Sequence, residues 1–118
     1  MGRMTQKGTA FESQVVDYLN GRFGGGIERR AKFGTKDRGD IAGVCMHGKP
    51  MVIECKNHRK MELAEWIGEA EVERGNADAE YGVVVHKRRG IGSKNMGGTY
   101  VTMTLETLAD MICGGRDL

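Results

Sequence analysis

The sequence predicts a single α/β domain in which helices flank a central mixed β-sheet. Three observations lead there. The chain has 118 residues, 39% of them apolar, which suffices for one core but not for two. Apolar positions recur every three to four residues in some segments and alternate in others, in the order α, β, β, β, α, β, β, α. No internal repeat or low-complexity linker divides the chain, so residues 1–118 read as one unit, with 114–118 a flexible tail.

The first element is a helix over 7–23, where Phe11, Val15, Leu19 and Phe23 form a stripe that Val16 and Tyr18 widen. Thr9 suits its N-cap, and Glu12 three residues later completes a capping-box pattern. Gly24–Gly26 end the helix in a mobile turn. Residues 27–33 suggest a short strand with a basic outer face. Residues 39–46 and 49–57 form a hairpin around the turn at 47–50, with Pro50 entering the second strand where a missing N–H does least harm. The next helix runs over 60–75, with Leu63, Trp66, Ile67 and Ala70 on one side. A β-branched strand follows at 80–88, then a Gly- and Lys/Arg-rich loop at 89–98, a strand at 99–105 and a short helix at 105–113.

No apolar run approaches the roughly 18–20 residues that span a membrane, and the charged start does not read as a signal peptide. Cys45, Cys55 and Cys113 are odd in number and lack a framework spacing, which suggests a reduced, cytoplasmic setting. The net charge of +2 hides an asymmetry: residues 1–60 carry +6 and residues 61–118 carry −4. Basic residues cluster at 28–38 and 86–95, and acidic ones at 62–80. Basic clumps that meet in space build a polyanion-binding face, whereas clumps that do not are solvated loops.

The hairpin raises the chemical question. Its second strand, MVIECKNH, interrupts an apolar run with Glu54 and Lys56. Two residues is the strand repeat, so both charges share a face, and Cys55 between them turns to the core. Asp40 falls at the same end of the hairpin, so the three side chains converge if the strands pair in the matching register. Two carboxylates held close repel, and a hard cation such as Mg²⁺ relieves this with oxygen ligands. A metal-activated water beside an ammonium is the chemistry of phosphodiester hydrolysis.

Asp40, then Glu54-Cys55-Lys56, resembles the D…(D/E)-x-K signature of the PD-(D/E)xK nuclease superfamily. The closer likeness is to its Holliday-junction-resolvase branch, archaeal-type and phage-encoded, over roughly residues 7–90. In that branch a helix bearing a catalytic Glu precedes the hairpin, and KGTAFESQVVDYL supplies Glu12 in that place. The helix that follows and YGVVVHKRRG also match its order. The resemblance implies a restriction-endonuclease-like fold. It also implies Asp40, Glu54 and the Cys55 main-chain carbonyl as Mg²⁺ ligands, with Mn²⁺ substituting. Lys56 then orients the attacking water and Glu12 adds an acid to the site. The residue before Asp40 departs from the pattern, being Gly39 rather than the nominal proline. No glutamine marks helix 60–75; Glu62, Glu65 and Glu69 stand there instead.

Plainer readings stand beside these. Glu54 and Lys56 could be an ion pair on a solvated face, although that leaves Asp40 unexplained. Glu12 serves equally as a cap. Cys45–His47 and Cys55–His58 lack structural-zinc spacing, so buried free thiol is the better reading of Cys55. His58 and His86 read as surface histidines, and Trp66 as core or dimer surface. Arg29, Arg30, Lys32, Lys36 and Arg38 on one side, with Lys87, Arg88, Arg89 and Lys94 on the other, suit phosphate contacts. The expectation is an Mg²⁺-dependent endonuclease that cuts four-way DNA junctions in recombination as a homodimer, since two symmetric cuts need two sites. The alternatives are a nuclease acting on flaps, ends or restriction sites, and a non-catalytic nucleic-acid-binding module.

Overall fold

The structure, a computed structural model, describes residues 2–30 and 37–116. Helix α1 (Gly2–Phe23) is followed by β1 (Glu28–Arg29), β2 (Ile41–Ala42), β3 (Cys45–Met46) and β4 (Lys49–Lys56). Helix α2 (Leu63–Ala77), β5 (Tyr81–His86), a 3₁₀ segment (Ser93–Gly98), β6 (Tyr100–Thr102) and α3 (Leu105–Cys113) complete the chain. The strands form one mixed six-stranded sheet in the order β1-β2-β4-β5-β6, with β3 also on β4. Among the described strands only β4 and β5 run parallel, and α2 is the crossover between them. The chain is thus one α/β domain with helices on a mixed sheet. Among the described residues no helix is long and apolar enough to cross a membrane.

Period-2 alternation in β4 divides the interior. Ile53, with Met51 and Cys55 beside it, packs with Phe11, Val15 and Val16 of α1, Val83 and Val85 of β5 and Met111 of α3. On the opposite face Val84 packs under Trp66 and Ala70 of α2. Glu54 and Lys56 therefore lie between the sheet and α2, while Cys55 belongs to the α1 side.

Several elements depart from expectation. Helix α1 begins at Gly2, so Thr9 lies inside it and is not its N-cap. Phe23 is exposed, because the stripe runs past the end of the core. The triglycine turn is tied down by Asn20, whose amide donates to the Ile27 carbonyl (2.7 Å) and accepts from the Ile27 N–H (2.9 Å). The strand expected over 27–33 is regular only at Glu28–Arg29, and residues 31–33 lie outside the described residues. Residues 114–116 are anchored rather than frayed: Gly114 closes α3 in the left-handed region, and the Arg116 N–H donates to Glu80 (2.8 Å). The remainder of the tail, residues 117–118, lies outside the described residues.

The hairpin is tighter at its tip than expected. Met46 pairs with Lys49, leaving a two-residue turn of His47 and Gly48 at φ 54° and 75°, the signature of a type I′ turn. Continued without a break, that register would place Asp40 opposite Cys55, on the α1 face. A bulge prevents this. Val44 bonds Met51, whereas Ile41 pairs with Ile53, so Ala42 and Gly43 together oppose Val52. Gly43 sits at φ +95°, and a Cβ there would run into the Gly26 carbonyl. The extra residue returns Asp40 to the face of Glu54 and Lys56.

Candidate active site

The site lies at the carboxyl end of β4, where open α/β sheets commonly bind ligands. The Asp40 N–H donates to the Ile53 carbonyl (3.0 Å), and its Oδ2 accepts from the Cys55 N–H (2.7 Å). This second bond fixes the carboxylate beside Glu54. It also shows which way Cys55 faces: its N–H, and hence its carbonyl, is directed to the β2 edge, where Asp40 stands.

Glu54 is only 6% exposed. Its Oε2 lies 3.4 Å from the Lys56 ammonium, while its Oε1 is buried with no hydrogen-bond partner. Lys56 is held more closely by Glu69 of α2, at 2.7 Å. Burial alone would lower the Lys56 pKa, but Glu69 and Glu54 outweigh it and push it up. The two charges thus form neither a solvated pair nor an isolated one.

The carboxyl groups feel their crowding. Burial first, then the adjacent Glu54, pushes Asp40 up to about 8. Burial likewise raises Glu54 to about 7, with Glu73 adding to it and Lys56 opposing. Burial raises the Cys55 thiol as well, as befits a packed, unreactive cysteine. Cys45, Cys55 and Cys113 are all free thiols.

Two acids that the sequence reading did not select join this group. Glu73 of α2 is 4% exposed, and burial pushes its carboxyl up to about 7. Asp37 precedes Gly39, whose N–H it accepts (2.9 Å), while its carbonyl accepts from the Asn76 amide (2.8 Å). A signal for Glu73 existed. Trp66, Ala70 and Glu73 fall at i, i+4 and i+7, so Glu73 occupies a place where the stripe calls for a core residue.

Glu12 stands in the other layer. Its carboxylate pairs with Arg29 of β1 (3.1 Å) and its charge reaches the Cys55 thiol; α1 begins ten residues before it, so it does not cap the helix. Arg30 follows Arg29, and its N–H donates to the Asp40 carbonyl (2.8 Å), which places it directly opposite Asp40 on the neighbouring segment. Its Nε is buried without a partner. Arg38 is exposed, and Lys32 and Lys36 lie outside the described residues. Beyond β5 the basic residues separate. Lys87 and Arg89 line a cleft of about 230 Å³ with Asn57, His58 and Arg59, just past Lys56. Arg88 instead stacks over Tyr100, 4.7 Å from the ring centre, and donates to the Gly98 carbonyl (3.2 Å). Lys94 is exposed in the 3₁₀ segment beside Asp17 and Tyr18. His86 is not a surface residue: it is 4% exposed and bonded to Thr102 (2.7 Å), because it faces Trp66 rather than solvent.

An orphaned buried carboxylate oxygen, a second carboxylate beside it and an aligned carbonyl form an all-oxygen donor set. That set fits a hard divalent cation and not zinc. Set against known protein families, curated proteins and solved structures, the chain matches none.

Proposed function

We propose that this chain is a divalent-cation-dependent DNA endonuclease that cuts four-way junctions as a homodimer. The observation that carries the reading is the convergence of Asp40, Glu54 and Lys56 on one half-buried face, with the Cys55 carbonyl turned towards Asp40. Asp40, Glu54 and that carbonyl would hold Mg²⁺ or Mn²⁺. The cation would supply a nucleophilic water at neutral pH and offset charge on the scissile phosphate.

The chain's own residues do the rest. Lys56 places an ammonium at the mouth of the site, where it orients the attacking water and neutralises charge building on a phosphate oxygen. A phosphate there competes with Glu69 for Lys56. Arg59, Lys87 and Arg89 grip the next phosphates along the strand without reading bases. Burial of the acids keeps bulk water from competing for the metal.

An exposed apolar surface supports a dimer. In α3, Leu105 is 81% and Ile112 77% exposed, with Leu108 between them on the same side. A groove of about 440 Å³ opens nearby, lined by apolar side chains that include Phe23, Met96 and Val101. A second copy seated there would bring the second site that symmetric cutting needs.

The test incubates the purified chain with a synthetic four-way junction, a matched duplex and a flap, with Mg²⁺ or EDTA. Paired symmetric nicks in the junction alone, abolished by EDTA, are expected. Cutting of flap or duplex instead would replace the junction by another substrate. Binding without cleavage under Mg²⁺ or Mn²⁺ would leave a nucleic-acid-binding module.

A further inference from the structure

Asp37 and Glu73 play no part in the Asp40–Glu54–Lys56 arrangement, yet both turn into it. One oxygen from each of Asp37, Glu54 and Glu73 lies within 4.8 Å of the other two. The three come from different elements: the loop before β2, strand β4 and helix α2. An accidental cluster of surface acids would face water. Here Glu54 and Glu73 are at least nine-tenths buried, and Oε1 of each is buried with no hydrogen-bond partner. Lys56 reaches both acids with its charge but hydrogen-bonds neither Oε1, since it sits 2.7 Å from Glu69 and 3.4 Å from the other oxygen of Glu54. Two buried carboxylates, each with one oxygen left without a hydrogen-bond partner, thus stand within reach of a third.

The surroundings support this arrangement. Gly39 lies at φ +93°, and a Cβ on it would come 2.8 Å from Val52 Cγ1 and 3.7 Å from Glu73 Oε1. Glycine lets the loop that carries Asp37 lie directly against Val52 of β4, beside Glu73. The Gly39 N–H and the Asn76 amide hold Asp37 at its two ends, so its carboxylate is set in place before any ligand arrives.

The geometry points to a cation site formed by Asp37, Glu54 and Glu73, beside the Asp40 position and sharing Glu54 with it. Its ligand is a hard divalent cation of the Mg²⁺, Mn²⁺ or Ca²⁺ class. Three carboxylates offer only oxygen, which disfavours softer metals. Ligands on opposite sides of a cation stand about twice the bond length apart, roughly 4.8 Å for Ca²⁺ and 4.2 Å for Mg²⁺. The three oxygens lie within 4.8 Å of one another, which keeps them inside the span that one such cation bridges. The three-carboxylate site stands apart from the nuclease reading; only the count of a second cation at the Asp40 position rests on that reading.

The test counts Mn²⁺ bound to the full chain by electron paramagnetic resonance, after chelation and removal of chelator. Two Mn²⁺ per chain are expected. Glu73→Gln and Asp37→Asn should each lose one of them, or bind it at least tenfold more weakly, while Asp40→Asn keeps it. Circular dichroism checks that the variants fold. In parallel, Mn²⁺ should raise the melting temperature of the parent more than that of Glu73→Gln. Parent-like Mn²⁺ stoichiometry and affinity in Glu73→Gln, or a parent whose melting temperature ignores Mn²⁺, would overturn the site. Bound Mn²⁺ that depends on Glu73, in a protein that cuts no DNA, would uphold the site and remove the nuclease.

Discussion

Lys56 is the residue on which the proposed chemistry turns. Its ammonium is the one described cation inside the acidic group, held by Glu69 and Glu54. Lys56→Ala should lower junction cleavage by roughly 10²-fold or more with folding intact, as losing a transition-state donor does; parent-like cleavage would refute the assigned role. The acids make a separate prediction about stability. Asp40, Glu54 and Glu73 ionise only near 7–8 in the folded chain, against about 4 for free carboxyls. Between those values the folded state holds more protons than the unfolded one, so stability falls as pH rises. Asp37 and Glu69 add negative charge around them and Lys56 opposes it. Metal-free protein should therefore melt at a lower temperature at pH 8.5 than at pH 5.5. Glu73→Gln should be more stable than the parent at the higher pH, by roughly 1–2 kcal/mol, as relief of a strained functional site often is. Thermal denaturation at the two pH values checks both.

The hairpin shows how an element places a residue. Alternation alone says that Glu54 and Lys56 share a face, and that much was readable from the sequence. Whether Asp40 joins them depends on register, and register depends on Gly43. The two-residue turn at His47-Gly48 sets a register that would put Asp40 opposite Cys55, and the bulge shifts it by one residue, which brings Asp40 to Glu54. Gly43→Ala puts a Cβ into the Gly26 carbonyl at a backbone angle that favours glycine. It should destabilise the protein by more than about 2 kcal/mol in urea. A parent-like denaturation midpoint would show that the bulge is not what holds the strands. Helix α2 teaches the complementary lesson. Its apolar spacing identified Trp66 and Ala70 as core, and they are, but the same stripe carries Glu73 to the sheet, a carboxylate where propensity expects a leucine.

For the molecule as a whole, charge and apolar surface make distinct predictions. Six phosphate contacts from the basic residues would give a slope of about −5 for log K against log salt, at about −0.9 per phosphate. A junction-binding titration between 50 and 200 mM salt reads it, and a slope near zero would remove the polyanion face. The double variant Leu105→Glu, Ile112→Glu should sediment as a monomer where the parent sediments as a dimer. It should stay folded, since both side chains are already in solvent. A parent that is monomeric at the concentrations that cut DNA would exclude the α3 surface as a dimer contact.

Local pattern, read along the chain, was enough for the α/β class, the helix and strand order, the shared face of Glu54 and Lys56 and the inward turn of Cys55. These follow from periods of two and 3.6 residues, which act over a few neighbours. The bulge at Gly43, the pairing of Glu12 with Arg29, the burial of His86 and the meeting of Asp37 with Glu73 were not readable in that way. Each joins segments far apart in the chain: α2 laid across β4 brings residues 37 and 73 together, and β1 meets α1 through residues 29 and 12. Such contacts arise when layers pack, because sheet register and helix placement are settled by burying both faces of the sheet at once.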